Sequence, residues 1–362
     1  MVTLVEVAKV AGVSRGTASN AFIHPELVSD ALRERVLAAA AELGFGGPAP
    51  SGRLLRLGKV NAIGVTPPGS YGVSVAFSGS YYRDFLTGVG EICDERGTTL
   101  SVIPGVGSGK TRGIQNALVD GFILHQLEEA ALVAARRRRL PVVLVDLDGD
   151  AETSSVRIDD REGSRMAAEH LTALGHRRFA IFSVLRHGLD DEPAPSLEPV
   201  LHIPGDEPHR LRGGFSIDED RLAGYSDALS AIDLSVDDVL VVECGADSVS
   251  NAAEGARVFF DNSPDVTAVL AMTDVQALAI LEEAQRRKIA VPGDLSIVGF
   301  DDLYEARLST PALTTVVHPR IEKGRTAARL LFAEGDPQHI SLPVHLVERA
   351  STAAPRDAAA IE

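Results

Sequence analysis

Tryptophan is absent from the 362-residue chain, and cysteine and methionine number only two and three. Two isolated thiols, Cys93 and Cys244, offer neither a disulfide framework nor a Cys-ligated metal site, and free thiols suit a reducing compartment. Long apolar runs are missing too. None approaches the ~18 residues of a membrane span, and the first residues lack a basic-then-apolar secretion signal. The expectation is a cytoplasmic protein with no membrane partner. A surplus of positive charge is also missing. The net charge of −16 argues against a protein that coats nucleic acid indiscriminately.

What is present is ordinary in bulk: 45% hydrophobic and 24% charged residues, a globular composition with length for two or three domains. The charge is unevenly placed. Residues 1–60 carry seven Lys/Arg and five Asp/Glu, a balance of +2, so the remainder carries −18.

The first sixty residues read as short helices. Thr3-Leu4-Val5-Glu6 fits a capping box, and Leu4, Val7, Ala8 and Ala11 fall on one helical face. Gly12 supplies a turn, Ser14 can cap a second helix, and a third runs from a Ser29 cap to Gly44. "GGPAPSG" then reads as linker, followed by the basic "RLLRLGK". From about Val60 the rhythm changes. Apolar runs such as "VNAIGV", "DGFIL", "PVVLVD", "FAIFSV", "TAVLAM" and "LSIVGFDD" alternate with segments of helical pattern. Continuous apolar strands between helices predict a parallel sheet covered on both faces, and their number over 300 residues suits two doubly wound lobes. Residues 186–215, rich in Pro, Gly and acid, read as a surface insertion.

The stretch Gly105-Val106-Gly107-Ser108-Gly109-Lys110-Thr111 follows a predicted strand and outlines a phosphate-binding loop. That signature needs four residues between its first Gly and the Gly-Lys pair; here Gly105 and Gly109 enclose three. The position that would restore the spacing is Pro104, which has no N–H and cannot take positive φ. Asp146, ending "VVLVD", imitates a magnesium-holding strand end, but a buried parallel strand at any ligand cleft looks the same. A nucleotide hydrolase is therefore disfavoured, and no nucleophile–base pair or metal cluster marks an enzyme of another kind. No cofactor is indicated. Arg136–Arg139 falls where a helix ends, where cations favour the dipole. His170 and His176 lack metal-ligand spacing and read as helix-end surface residues.

More specific is "VAKVAGVSRGTASNAF". Ala18, Ala21 and Phe22 face inward on the second helix, leaving Arg15, Gly16, Ser19 and Asn20 on the other face. A short helix set by a Gly turn across a first helix has the geometry that enters a DNA major groove.

"TLVEVAKVAGVSRGTAS" with "VSDALRERVLAAAAELGF" resembles the N-terminal domain of the lac-repressor family of transcription regulators. "GHRRFAIFS", "RLAGYSDAL", "AVLAMTDVQALAIL", "VPGDLSIVGFDDL" and "PALTTVVHP" resemble, in order, that family's periplasmic-binding-protein-like core. The resemblance implies an α/β chain with an N-terminal all-α helix-turn-helix domain (1–47), a hinge (48–59) and a two-lobed core (60–362). The lobes are expected at 60–158 with 291–317, and at 159–290 with 318–350. It implies a homodimeric repressor of double-stranded operator DNA, switched by a sugar or polyol; the alternative is a sugar-binding transport component. DNA contacts fall to Ser14, Arg15, Gly16, Thr17, Ser19 and Asn20, with Arg53 and a minor-groove wedge at Leu55 in the hinge. Asn20 stands where the family usually has Arg, and Asn suits adenine where Arg suits guanine. Asp146, Arg221 and Asp274 match effector-contacting positions, and Tyr82 and Phe77 are candidates to stack on a sugar face.

Overall fold

The computed structural model describes residues 2–47, 59–68, 72–103, 108–126, 129–185, 198–204, 216–245, 249–262 and 265–356. The hinge positions Arg53 and Leu55, and most of the expected insertion, lie outside the described residues. The chain divides into two compact units, Met1–Asn61 and Ala62–Glu362.

The first unit holds α1 (Leu4–Val10), α2 (Arg15–Ile23) and α3 (Asp30–Leu43). Thr3 and Glu6 form the full capping box at the start of α1, satisfying first-turn amides that lack intrahelical partners. Gly12 turns the chain toward α2 at φ 61°, and Gly44 ends α3 at φ 68°; both angles lie in the left-handed region that glycine enters without steric cost. Its fully buried side chains are small, Val7, Ala8, Ala11, Ala18, Ala21, Val36, Ala39 and Ala40, and the larger Leu4, Phe22, Leu43 and Phe45 pack against them partly buried.

The second unit contains two sheets. One comprises β1 (Ala62–Val65), β2 (Thr99–Val102), β3 (Phe122–His125), β4 (Val142–Val145), β5 (Ser154–Ile158) and β12 (His339–Leu342), in the order β12-β5-β4-β3-β1-β2. The other comprises β6 (Phe179–Leu185), β7 (Val200–His202), β8 (Leu240–Gly245), β9 (Ala268–Ala271), β10 (Ser296–Phe300), β11 (Thr314–Val317) and β13 (His345–Val347), in the order β13-β11-β10-β9-β6-β8-β7. Strands pair in parallel except at the edges of the second sheet, where β7 and β13 run antiparallel. Helices α4 (Val73–Ser78), α5 (Ser80–Arg96), α6 (Ser108–Asn116), α7 (Glu129–Arg137) and α13 (Arg320–Phe332) belong to the first lobe. The second takes α8 (Asp160–Ala173), α9 (Ser216–Ser230), α10 (Val249–Asn262), α11 (Asp274–Arg287) and α12 (Tyr304–Leu308).

This topology corrects the expected lobes. Residues 291–317 carry β10 and β11 of the second sheet, while 318–342 return to the first lobe as α13 and β12. The reason is register: β10 lies directly beside β9, Ser296 opposite Ala268, as the next strand of an ongoing β-α-β winding. The crossing comes only after β11.

In each lobe two helices cross at glycine. A Cβ on Gly88 would stand 1.9 Å from the Ile321 carbonyl, and one on Gly324 would stand 2.1 Å from that of Phe85, so α5 and α13 meet backbone to backbone. Gly224 does the same for α9 against Arg161 of α8, at 2.1 Å. His176 is buried, not a surface residue; its ring bonds Thr267, Ser296 and the Ala353 carbonyl. Arg138 donates to the carbonyls of Ile114, Gln115 and Ala117, closing the C-terminal end of α6 as a helix-end cation does.

Candidate functional site

In the first unit, Ser14 accepts the Thr17 N–H at 3.0 Å and its hydroxyl lies 2.9 Å from that of Thr17. Both residues are thus used to start α2. Arg15 and Gly16 are exposed and Asn20 is half-buried. Ser19 departs from expectation: it is buried with Ala18 and Ala21, because the inward arc of this short helix is wider than its larger side chains indicated. The positions left accessible to a ligand are Ser14, Arg15, Gly16, Thr17 and Asn20.

The second unit opens a cleft of about 720 Å³ between its lobes. Its floor is formed at the carboxyl ends of parallel strands, where open α/β sheets place ligands. Asp146, immediately after β4, is buried and held from three sides. Lys323 Nζ lies 2.7 and 3.0 Å from its two oxygens, His125 Nε2 lies at 2.9 Å, and the Tyr81 hydroxyl donates at 3.1 Å. Burial alone would raise its pKa, but the Lys323 charge and the His125 contact outweigh it and hold the carboxyl well below the usual range.

On the second lobe, Arg221 of α9 donates from Nε to Asp160 at 2.8 Å and from another nitrogen to the Met272 carbonyl. Its guanidinium carbon lies 3.6 Å from the Phe300 ring centroid, a cation–π contact, and Asp301 is 3.9 Å away. Burial pushes the Asp160 carboxyl up to about 6 against the opposing pull of Arg221. Asp301 also rises to about 6 by burial, opposed by Arg221, Arg320 and Lys323. His318 Nε2 lies 3.1 Å from Asp301. Burial, then the charges of Lys323, Arg320 and Arg221, drive its pKa well down, so the imidazole is neutral.

The backbone here is strained. Gln126, Asp146 and Asp301 line the cleft with φ of 43°, 55° and 113°. Such angles cost non-glycine residues free energy and cluster where a ligand is held.

Of the five expected effector contacts, the structure brings Asp146, Arg221 and Tyr82 to the cleft lining. Asp274 does not line it. Its carboxylate faces inward, accepting the Leu303 N–H at 2.7 Å and bonding the Thr315 hydroxyl at 2.6 Å. Phe77 is half exposed and outside the lining, its ring 6.4 Å from that of Tyr82. Sequence reasoning missed Tyr81, His125, Asp160, Asp301, His318 and Lys323. The acids were detectable, since each closely follows a strand, but a buried lysine on a helix gives no pattern of its own.

Residues 3–46 match the model of bacterial regulatory proteins of the lacI family, and residues 168–352 match the periplasmic binding protein-like domain. An HTH-type transcriptional regulator of Mycolicibacterium smegmatis is 35% identical over 358 residues, covering 94% of this chain and 92% of that one. A solved complex of the transcriptional regulator CelR with cellobiose superposes with a TM-score of 0.66 at 27% identity, over 97% of this chain and all of the other. The lac repressor dimer bound to operator shares the fold, with a TM-score of 0.72 at 23% identity, over 98% of this chain and 99% of that one. The small helical unit and the two-lobed core thus define a DNA-binding transcriptional regulator with a ligand cleft. The chain belongs to the lacI family.

Proposed function

We propose that this regulator represses transcription as a cytoplasmic homodimer on a pseudo-palindromic operator and that a small polyhydroxylated effector in the cleft switches its operator affinity. The observation that carries the switch is the cleft floor, where buried charged groups from both lobes converge on one cavity. Paired carboxylates and guanidinium groups supply the acceptors and donors that hydroxyls need. Allostery requires a ligand to contact two states differently, and a cleft with walls on separate lobes provides that difference. The cellobiose complex of CelR and the operator-bound dimer of the lac repressor support the reading by relationship and by fold.

Arg15 and Asn20 read bases, Arg15 toward guanine and Asn20 toward adenine. Ser14 and Thr17 set α2 against the phosphates, and Arg53 and Leu55 engage the minor groove. In the cleft, Arg221, Tyr82 and Asp146 face the effector. The chain catalyses no reaction: purified protein should hydrolyse no ATP above background, and Lys110→Ala should leave operator binding intact.

The test is operator selection followed by titration of sugars and polyols into the operator complex. A ligand at 100 times its Kd also stabilises the core by about 2.7 kcal/mol, so a thermal-shift screen finds candidates first. Failure to select any operator sequence would refute the reading. For specificity, Asn20→Arg should move the preferred half-site toward guanine at one symmetric position; unchanged selected sites would remove Asn20 from base reading.

A further inference from the structure

The described lining of the cleft is lopsided in charge. Its described lining includes the acids Asp146, Asp160, Asp218, Glu282 and Asp301 but only two cations, Arg221 and Lys323. Neither cation is available. Lys323 is bonded to both oxygens of Asp146, and Arg221 is bonded to Asp160 and the Met272 carbonyl with Asp301 beside it. A phosphate seated here would have to draw one of them away, leaving a buried carboxylate without its partner.

Helix N-termini are the other means by which proteins bind anions. Of the helix N-termini around the cleft, four already hold an acid, while α10 begins in the lining at Val249 and Ser250 with no acid in its first turn. Asp160 is the first residue of α8 and Asp274 the first of α11; Asp218 lies in the first turn of α9. At α5 the Ser80 hydroxyl donates to Glu305 at 2.8 Å.

The cleft also has two unmet polar atoms. Asp160 Oδ2 and the Tyr82 hydroxyl are buried, have no hydrogen-bond partner among the described residues, and belong to residues that line the cavity. One is an acceptor and the other both donates and accepts. A hydroxyl answers each of them, whereas a phosphate or carboxylate offers Asp160 no proton.

We propose that the cleft takes a hydroxyl-rich effector bearing no negative charge and rejects the phosphorylated or carboxylated forms of the same molecule. This rests on the effector reading above and narrows it to a chemical class. It also sets the place of the effector relative to kinases: the signal is the free sugar or polyol, before any reaction that phosphorylates it.

The experiment uses the full chain and matched probes by calorimetry: ribose with ribose 5-phosphate, glucose with glucose 6-phosphate, myo-inositol with its monophosphate, and cellobiose with cellobionic acid. Each uncharged member that binds should do so with a Kd on the order of a hundredfold lower than that of its anionic partner. Tyr82→Phe should weaken the bound sugar about fivefold while leaving the melting temperature without ligand unchanged, since no group among the described residues bonds that hydroxyl. In parallel, the chain is equilibrated with a metabolite extract and the retained compounds are identified by mass spectrometry, with Arg221→Ala as the blank. Retention of an uncharged polyol supports the proposal. An anion that binds as tightly as its neutral partner, or is retained from the extract, overturns it. Nothing bound in either arm overturns instead the effector reading on which it rests.

Discussion

Asp274 shows how a residue can match a binding motif and serve the fold. At the head of α11 it ties the Leu303 N–H and the Thr315 hydroxyl together, and burial, reinforced by the Asp301 carboxylate, pushes its pKa well above the ordinary value. The protonated acid that this shift favours is closely imitated by an amide. Asp274→Asn should therefore change core stability little, whereas Asp274→Ala leaves a buried N–H unsatisfied and should cost about 1–3 kcal/mol. Chemical denaturation of the two variants decides it, and equal losses would refute the neutral-acid account. Asp160 makes a pH prediction. With its carboxyl raised to about 6, the folded chain holds that proton more tightly than the unfolded chain does. Its favourable contribution is full below about pH 4 and is lost as pH rises through about 6, to the extent of about 3 kcal/mol at most. Asp160→Asn has no such proton, so its stability relative to wild type should improve across that window; parallel profiles would contradict the raised pKa. At this scale the sequence pointed to Asp146 and Arg221 through matched motifs and to Tyr82 only as a stacking candidate, and all three lie in the cleft lining. It could not disclose Lys323 or His318, whose role depends on α13 returning to the first lobe.

At the scale of elements, periodicity was most informative where strands are buried on both faces. The runs "VNAIGV", "DGFIL", "PVVLVD", "TAVLAM" and "LSIVGFDD" are β1, β3, β4, β9 and β10. The segments that escaped, such as β5, β7, β12 and β13, are mixed in polarity and mostly at sheet edges, where one face or one side meets water and the apolar signal fades. The helix crossings were equally hidden, because a glycine that admits a neighbouring backbone reads in sequence like any other. They carry a sharp prediction. Gly88→Ala or Gly324→Ala would drive a Cβ into a backbone carbonyl of the facing helix, and each should destabilise the core by about 3 kcal/mol or more. Gly90→Ala, on the same helix as Gly88 with nothing within 4 Å of the added carbon, should gain about 0.5–1 kcal/mol from helix propensity. Thermal melts of the three variants test the contrast, and similar shifts for Gly88 and Gly90 would show that α5 and α13 do not pack as described.

For the whole molecule, the two units differ in what holds them folded. The core buries large apolar side chains on its sheets, among them Phe85, Phe122, Phe182, Phe259 and Phe300. Among the described residues, the first unit fully buries six alanines and two valines, with larger side chains such as Phe22 and Phe45 only partly buried. Burial stabilises in proportion to apolar area removed from water, and a domain of this size sits near the limit of independent stability. Its helices should therefore open well before the core does. In hydrogen exchange, amides of α1, α2 and α3 should exchange at least about tenfold faster than those of β3, β4 and β9. Operator DNA binds only the folded helical unit, so by mass action it should slow exchange in α1 to α3 and raise the temperature of a first, small calorimetric transition. A sugar bound in the cleft should instead raise the second, larger transition. Protection of the three helices equal to that of the central strands, without DNA, would show that so small a core suffices by itself.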